Sequence, residues 1–231
     1  MNRILIVTAA AAERDAVVAG REPAIGMIEG IEVHRCLVPA GMIDVIAGGV
    51  GVAAASVAAC CALRRGYDLV ISAGIAGGFP AAEPCSVAVA HAVVHADLGA
   101  ETVNGFNSMA ELGWGPVRFE LDDRLVRDLA HRTSGTLGSI LTVSTVSGSQ
   151  GRADELRAAH PDAVAEAMEG VGVYRAAERM AVPFAELRTI SNRVGPRNTE
   201  DWQIAEALTA LTTAFDAVLA EPLIINTLKV S

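Results

Sequence analysis

Lysine is almost missing from this chain: of its 18 basic residues all but Lys229 are arginine. Against them stand 27 acidic residues, for a formal net charge of −9. A chain this acidic is a poor match for nucleic acid, whose phosphates call for clustered cations. Cysteine is sparse as well. Cys36, Cys60, Cys61 and Cys85 contain no C-x-x-C spacing, and the vicinal pair lies in an apolar helical stretch. A zinc site or disulfide framework is thereby disfavoured, and buried structural thiols are expected. The amino terminus lacks a long apolar run: residues 4–7 are too few for a signal peptide or a membrane span, so a soluble, cytoplasmic protein is expected. Repeats, linkers and low-complexity segments are absent too. What remains is 231 residues, 52% hydrophobic and 19% charged, enough for one large α/β domain or two small ones.

Apolar runs and turn signals place strands at residues 4–8, 31–37, 42–48, 69–73, 86–94, 139–146 and 184–191. Helices are expected at 12–19, 50–65 (closed by Gly66), 122–132, 153–160, 168–179 and 199–219. Residues 98–116 carry Gly99, Gly105, Gly113 and Gly115 without clear periodicity and read as a long loop. Alternating strands and helices favour an α/β layer sandwich.

The segment E-L-R-T-I-S-N-R-V-G-P, residues 186–196, is the most informative. An apolar strand ends there in Asn192, at the sheet edge where open α/β folds bind ligands. Arg188 inside that run needs an anionic partner if buried. Upstream, A-M-E-G at residues 167–170 sets Glu169 between Met168 and Gly170 as a helix begins. Glu13, just past the first strand, completes an acid–acid–amide set suited to cleaving a purine–ribose bond. Each residue also has a plain structural reading: Glu13 and Glu169 as first-turn helix acids, Asn192 as a turn residue. Glycines 74, 77 and 78 after a buried strand either open backbone N–H groups to a ligand or make a structural turn. G-V-G-V-A-A, residues 49–54, fits the dinucleotide fingerprint, but the next strand ends in Ser72, Ala73 and Gly74 with no acid for a ribose. Tight packing is the better reading of those glycines.

Taken together, these segments resemble the purine nucleoside phosphorylase/nucleosidase superfamily. The branch most resembled holds the 5′-methylthioadenosine/S-adenosylhomocysteine nucleosidases and the futalosine hydrolases, and I-S-N-R-V-G-P is most similar to the latter. The resemblance implies a three-layer αβα sandwich around a central mixed β-sheet, one domain over residues 1–231, and a homo-oligomer. It implies that Glu13 activates the attacking water, with Arg188 beside it. Glu169 would grip the ribose diol, with Met168 packed on the sugar. Gly74, Ile75, Ala76 and Gly77 would run along sugar and base, Val146, Ser147 and Gly148 would form the base wall, and Asn192 would face N7. No metal or organic cofactor is implied.

The chain departs from the methylthioadenosine nucleosidases at Asn192, where they carry Asp, and at Ile75, where they usually carry Ser. An amide delivers no proton, but it accepts from N7–H and donates to a C6 carbonyl, which matches a 6-oxopurine leaving group. The expected reaction is therefore hydrolysis of futalosine to hypoxanthine, a step of menaquinone biosynthesis. The strand at 69–72 lacks the arginine that phosphorylases place there, which favours water over phosphate. A methylthioadenosine-type nucleosidase, a 6-oxopurine phosphorylase and a non-catalytic nucleoside binder stay as alternatives. Phe106 or Trp114 is expected to stack on an aryl group at the substrate's 5′ end, with Arg118 or Arg152 facing its carboxylate.

Overall fold

The computed structural model describes residues 1–225. In chain order the elements are β1 (Arg3–Thr8), α1 (Ala11–Val18), β2 (Ala24–Ile28), β3 (Ile31–Val38), β4 (Gly41–Ala47), α2 (Val52–Leu63), β5 (Leu69–Gly78) and β6 (Val87–His95). There follow β7 (Gly99–Thr102), β8 (Gly105–Ser108), β9 (Arg118–Glu120), α3 (Asp123–Thr133), β10 (Thr136–Thr142), α4 (Gln150–Ala159), β11 (Ala163–Ala167), α5 (Gly170–Arg179), β12 (Phe184–Arg193) and α6 (Ile204–Leu219).

Ten of the strands form one mixed sheet in the order β11-β10-β6-β12-β5-β1-β4-β3-β2, with β9 on β6, and β7 and β8 pair separately. Strand periodicity divides its side chains between two cores. Leu5 and Val7 of β1 face a core shared with α2 and α5, while Ile4 and Ile6 face one shared with α1, α3 and α6. Helices thus cover both faces, as the αβα expectation requires. Small residues let α5 approach α2 closely: a Cβ on Gly172 would overlap the Val52 carbonyl.

One pairing shapes the site. β11 also runs antiparallel to β5, with Glu166 opposite Gly77. On its other side β5 pairs with β12, with Asn192 opposite the same Gly77. The strands β5, β12, β6, β10 and β11 therefore close on themselves. The register of β12 shifts between Ile190 and Asn192, making Ser191 the extra residue of a bulge that turns Asn192.

Several expectations need correction. β5 does not stop at residue 73 but continues to Gly78, so its glycines are paired strand and no helix starts there. Residues 98–116 are not a plain loop; they hold the β7–β8 hairpin. β10 ends at Thr142, leaving Val146 in the loop beyond it. The helix at 168–179 starts at Gly170, and the one at 199–219 is interrupted at Trp202 between a 3-10 turn and α6. Strands β2, β9 and β11 lie where no strand was expected.

Candidate active site

A cavity of about 450 Å³ opens at the carboxyl ends of β1 and β5, within the range of small-molecule sites. Glu13, Ile75, Ala76, Gly77, Val146, Ser147, Met168, Glu169 and Asn192 all line it, so the structure brings most of the candidate set together. Gly74, Gly148 and Arg188 do not line it.

Glu13 sits in the first turn of α1, where an acid reaches back to the chain entering the helix. Its Oε2 accepts from the backbone N–H of Ala9 and of Ala10, both at 2.9 Å. Its Oε1 accepts from the N–H of Ile75 at 2.8 Å, tying α1 to β5. Gly74 makes this approach possible: a Cβ there would overlap Oε1 and stand 2.8 Å from the Glu13 carboxyl carbon and 3.0 Å from Arg188 Nη1. The glycine's place is behind the carboxylate rather than along the ligand.

Glu169 immediately precedes α5. Its Oε1 accepts from the N–H of Gly51 at 3.0 Å, and its Oε2 from Met168 N–H at 3.3 Å and Arg188 Nη1 at 3.2 Å. The glycine-rich turn before α2 thus serves a carboxylate, not a dinucleotide. Arg188 is 1% exposed and each of its three side-chain nitrogens donates within the protein: besides Nη1 to Glu169, Nε donates to Glu186 at 2.9 Å and Nη2 to Ser72 Oγ at 3.0 Å. It stands behind Glu169 and holds it; no hydrogen bond links it to Glu13. Burial works against its charge, but Glu186, Glu169 and Glu13 outweigh this and hold the guanidinium above its ordinary range.

Asn192 Nδ2 donates to the Arg193 carbonyl at 3.0 Å, and Oδ1 accepts from Ser191 Oγ at 2.8 Å. These contacts orient the amide and leave one N–H and one lone pair for a ligand.

A scan against family models matches residues 3–221 to the phosphorylase superfamily. The chain belongs to the phosphorylase superfamily. Within it the chain is 48% identical over 221 residues to a futalosine hydrolase of Streptomyces coelicolor, covering 91% of this chain and 92% of that protein. It is 45% identical to a futalosine hydrolase of Acidothermus cellulolyticus, covering 93% and 89%. Among solved structures, the 5′-methylthioadenosine/S-adenosylhomocysteine nucleosidase of Colwellia psychrerythraea in complex with adenine superposes with a TM-score of 0.81 at 20% identity, covering 96% of this chain and 98% of that one. This last likeness carries the fold alone.

In this superfamily member further residues line the cavity, Glu166, Arg197 and Trp202 among them. Glu166, from β11, is 6% exposed and lines it. Its Oε1 accepts from Ser147 N–H at 2.8 Å and its Oε2 from Ser147 Oγ at 2.6 Å. Burial pushes the carboxyl above its ordinary range; the Ser147 bonds and the charge of Arg152 pull it partly back. In the sequence Glu166 was hidden in a five-residue strand too short to show its period. Arg197 and Trp202 also line the cavity, the guanidinium stacked 4.9 Å from the ring centroid. The four side chains expected at the substrate's 5′ end do not line this cavity. Arg118 is engaged with Asp162 and Glu120, Trp114 is 69% exposed, and Phe106 and Arg152 line a different cavity. Among the described residues, no cluster suits a metal ion and no helix is long and apolar enough to cross a membrane.

Proposed function

We propose that this protein is a futalosine hydrolase, cleaving the N-glycosidic bond of futalosine with water and releasing hypoxanthine. The carrying observation is that two buried carboxylates, Glu13 and Glu169, and one oriented amide, Asn192, face a single nucleoside-sized cavity. The curated relatives support this choice of substrate.

Glu13, aimed by three backbone N–H groups, takes the proton of the attacking water. Glu169 accepts from the ribose hydroxyls and supports the positive charge that develops on the sugar. Arg188 is a positioning residue that fixes Glu169. As the bond breaks, the base leaves with the bonding electron pair and takes a proton at N7 from solvent water; Asn192 accepts from that N7–H and donates to the C6 oxygen with the capacity its neighbours leave free. Phosphate is a poor rival to water here. The nucleophile's place lies between carboxylates, and each side-chain nitrogen of the nearby Arg188 already donates within the protein, to Glu186, Glu169 or Ser72. The protein acts as one domain in a cytoplasmic homo-oligomer, in menaquinone biosynthesis.

The test is incubation with futalosine, its 6-amino counterpart, inosine and methylthioadenosine, with and without phosphate, followed by identification of base and sugar. Hypoxanthine and free sugar from futalosine are expected. A sugar 1-phosphate would assign a phosphorylase, and preferential release of adenine would assign the other nucleosidase branch.

A further inference from the structure

Glu166 has no part in the mechanism above, yet it is a buried carboxylate on the wall of the same cavity. Its position follows from the sheet. Glu166 and Asn192 sit opposite the same residue, Gly77, on the two strands that flank β5. With neighbouring strands about 4.8 Å apart, their backbones stand roughly 10 Å from each other, a span that a purine ring and two hydrogen bonds fill. Gly77 keeps the space between them open: a Cβ there would stand 2.9 Å from Val194 Cγ2 and 3.5 Å from Asn192 Nδ2.

Among the described residues no arginine, lysine or histidine forms an ion pair with Glu166; Arg152 acts on it through its charge without touching it, and its only hydrogen bonds come from Ser147. Each carboxylate oxygen accepts one of them. An ionised carboxylate has about four acceptor sites, so roughly half its capacity is free. A buried carboxylate with acceptor capacity to spare and no cation in direct contact calls for an N–H donor from the ligand.

We propose that Glu166 is a specificity-determining residue that reads position 1 of the purine, accepting a hydrogen bond from N1–H of a 6-oxopurine. The inference rests on the nucleosidase reading of this cavity and deepens it. Along one edge a 6-oxopurine offers N7, the C6 oxygen and N1–H. Asn192 answers the first two and Glu166 the third. A 6-aminopurine has a bare lone pair at N1, which faces an acceptor-only carboxylate and is rejected. Ser147 is the positioning residue, because its N–H and hydroxyl hold the carboxylate in one orientation. In Glu166→Gln the Ser147 N–H selects the amide oxygen as its partner. The amide N–H₂ is then free to meet the base, which suits N1 of a 6-aminopurine.

The experiment has a binding arm and a turnover arm. In the binding arm, calorimetry on the wild type compares hypoxanthine, 1-methylhypoxanthine and adenine. Hypoxanthine is expected to bind at least ~10-fold more tightly than either, since a site with a buried polar group rejects an analogue that leaves it unpaired. Equal affinity for hypoxanthine and 1-methylhypoxanthine would overturn the proposal without any variant. In the turnover arm, kcat/KM is measured for futalosine and its 6-amino counterpart in wild type, Glu166→Gln and Ser147→Ala. Glu166→Gln should lower the 6-oxo to 6-amino ratio by about 10- to 100-fold, through loss on one substrate and gain on the other. Ser147→Ala should lower it by less. An unchanged ratio in a folded Glu166→Gln that still cleaves futalosine would overturn the role of Glu166 and leave the hydrolase reading intact. A wild type that releases no base from futalosine would instead overturn that reading of the substrate, and the binding arm would still decide for Glu166.

Discussion

At the scale of single residues, the site depends on carboxylates held so firmly that their neighbours must be small. Glu13 is gripped through both oxygens by backbone N–H groups, so Glu13→Gln keeps its size but loses both the base and one matched acceptor. Its kcat should fall about 10²-fold or more with the fold intact, as removing a positioned general base does; unchanged turnover with an unchanged circular dichroism spectrum would put water activation elsewhere. Gly74→Ala tests the same carboxylate from behind. The added methyl would overlap Glu13 Oε1 and crowd Arg188, so the variant should lose activity through kcat while substrate binding, read by KM, changes little. Asn192→Asp tests the other end of the bond. Asp supplies a proton that Asn lacks and removes the donor to a C6 oxygen, so preference should move toward the 6-amino nucleoside. A base preference identical to wild type would show that Asn192 does not meet the purine edge.

Among the elements, those with strong periodicity were legible in the sequence and those shaped by partners were not. β1, β12 and α3 stand within one or two residues of expectation, because continuous apolar runs and an Asp122 cap are local signals. β5 was read as ending before its glycines, yet it runs through them because β12 and β11 pair with them from either side, a tertiary effect with no local signature. β11, five residues rich in alanine, is a strand for the same reason, and Glu166 was missed with it. The acid–acid–amide set was legible because its three members stand at element ends, where polar residues after apolar runs are conspicuous. The part of the cavity wall made by Arg197 and Trp202 was not, since the break at Trp202 interrupts what reads as one long helix. That break carries its own prediction. Arg197 stacks on Trp202 and, among the described residues, has no carboxylate partner, so it is free for an anionic group at the cavity mouth. Arg197→Ala should raise KM for futalosine about 10-fold, the scale of one charge-assisted hydrogen bond. It should leave kcat/KM unchanged for an analogue lacking the aryl carboxylate; an equal loss on both substrates would assign the residue to loop structure alone.

For the molecule as a whole, acid sensitivity should arise at a distance from the catalytic carboxylates. His95 and His160 line a second cavity, of about 630 Å³, between the β7–β8 hairpin and α4. Burial pushes both imidazoles below their ordinary value near 6.5; Asp97 pulls His95 partly back, and Asp162 does the same for His160 against Arg118 and Arg152. The sign follows from proton counting. Just below pH 6.5 the unfolded chain binds protons at these positions and the folded chain does not. Their contribution to stability is therefore complete above that value and is lost as pH falls through the depressed folded values. Glu166 and Glu186 act in the opposite sense. Burial raises both, so their effect favours the folded state in acid and is lost as pH rises through their folded values. The histidines' share sets in just below their ordinary value, and replacing one of them separates it from the opposing carboxylates. The histidines' share of wild-type stability should fall between about pH 7 and pH 5.5, and each kcal/mol lost lowers Tm by roughly 2–4 °C in a domain of this size. His160→Gln removes one of the two titrating groups while keeping a polar side chain of similar length, so its Tm should depend on pH less steeply over the same interval. Parallel Tm curves for variant and wild type would show that His160 is not a source of the acid sensitivity.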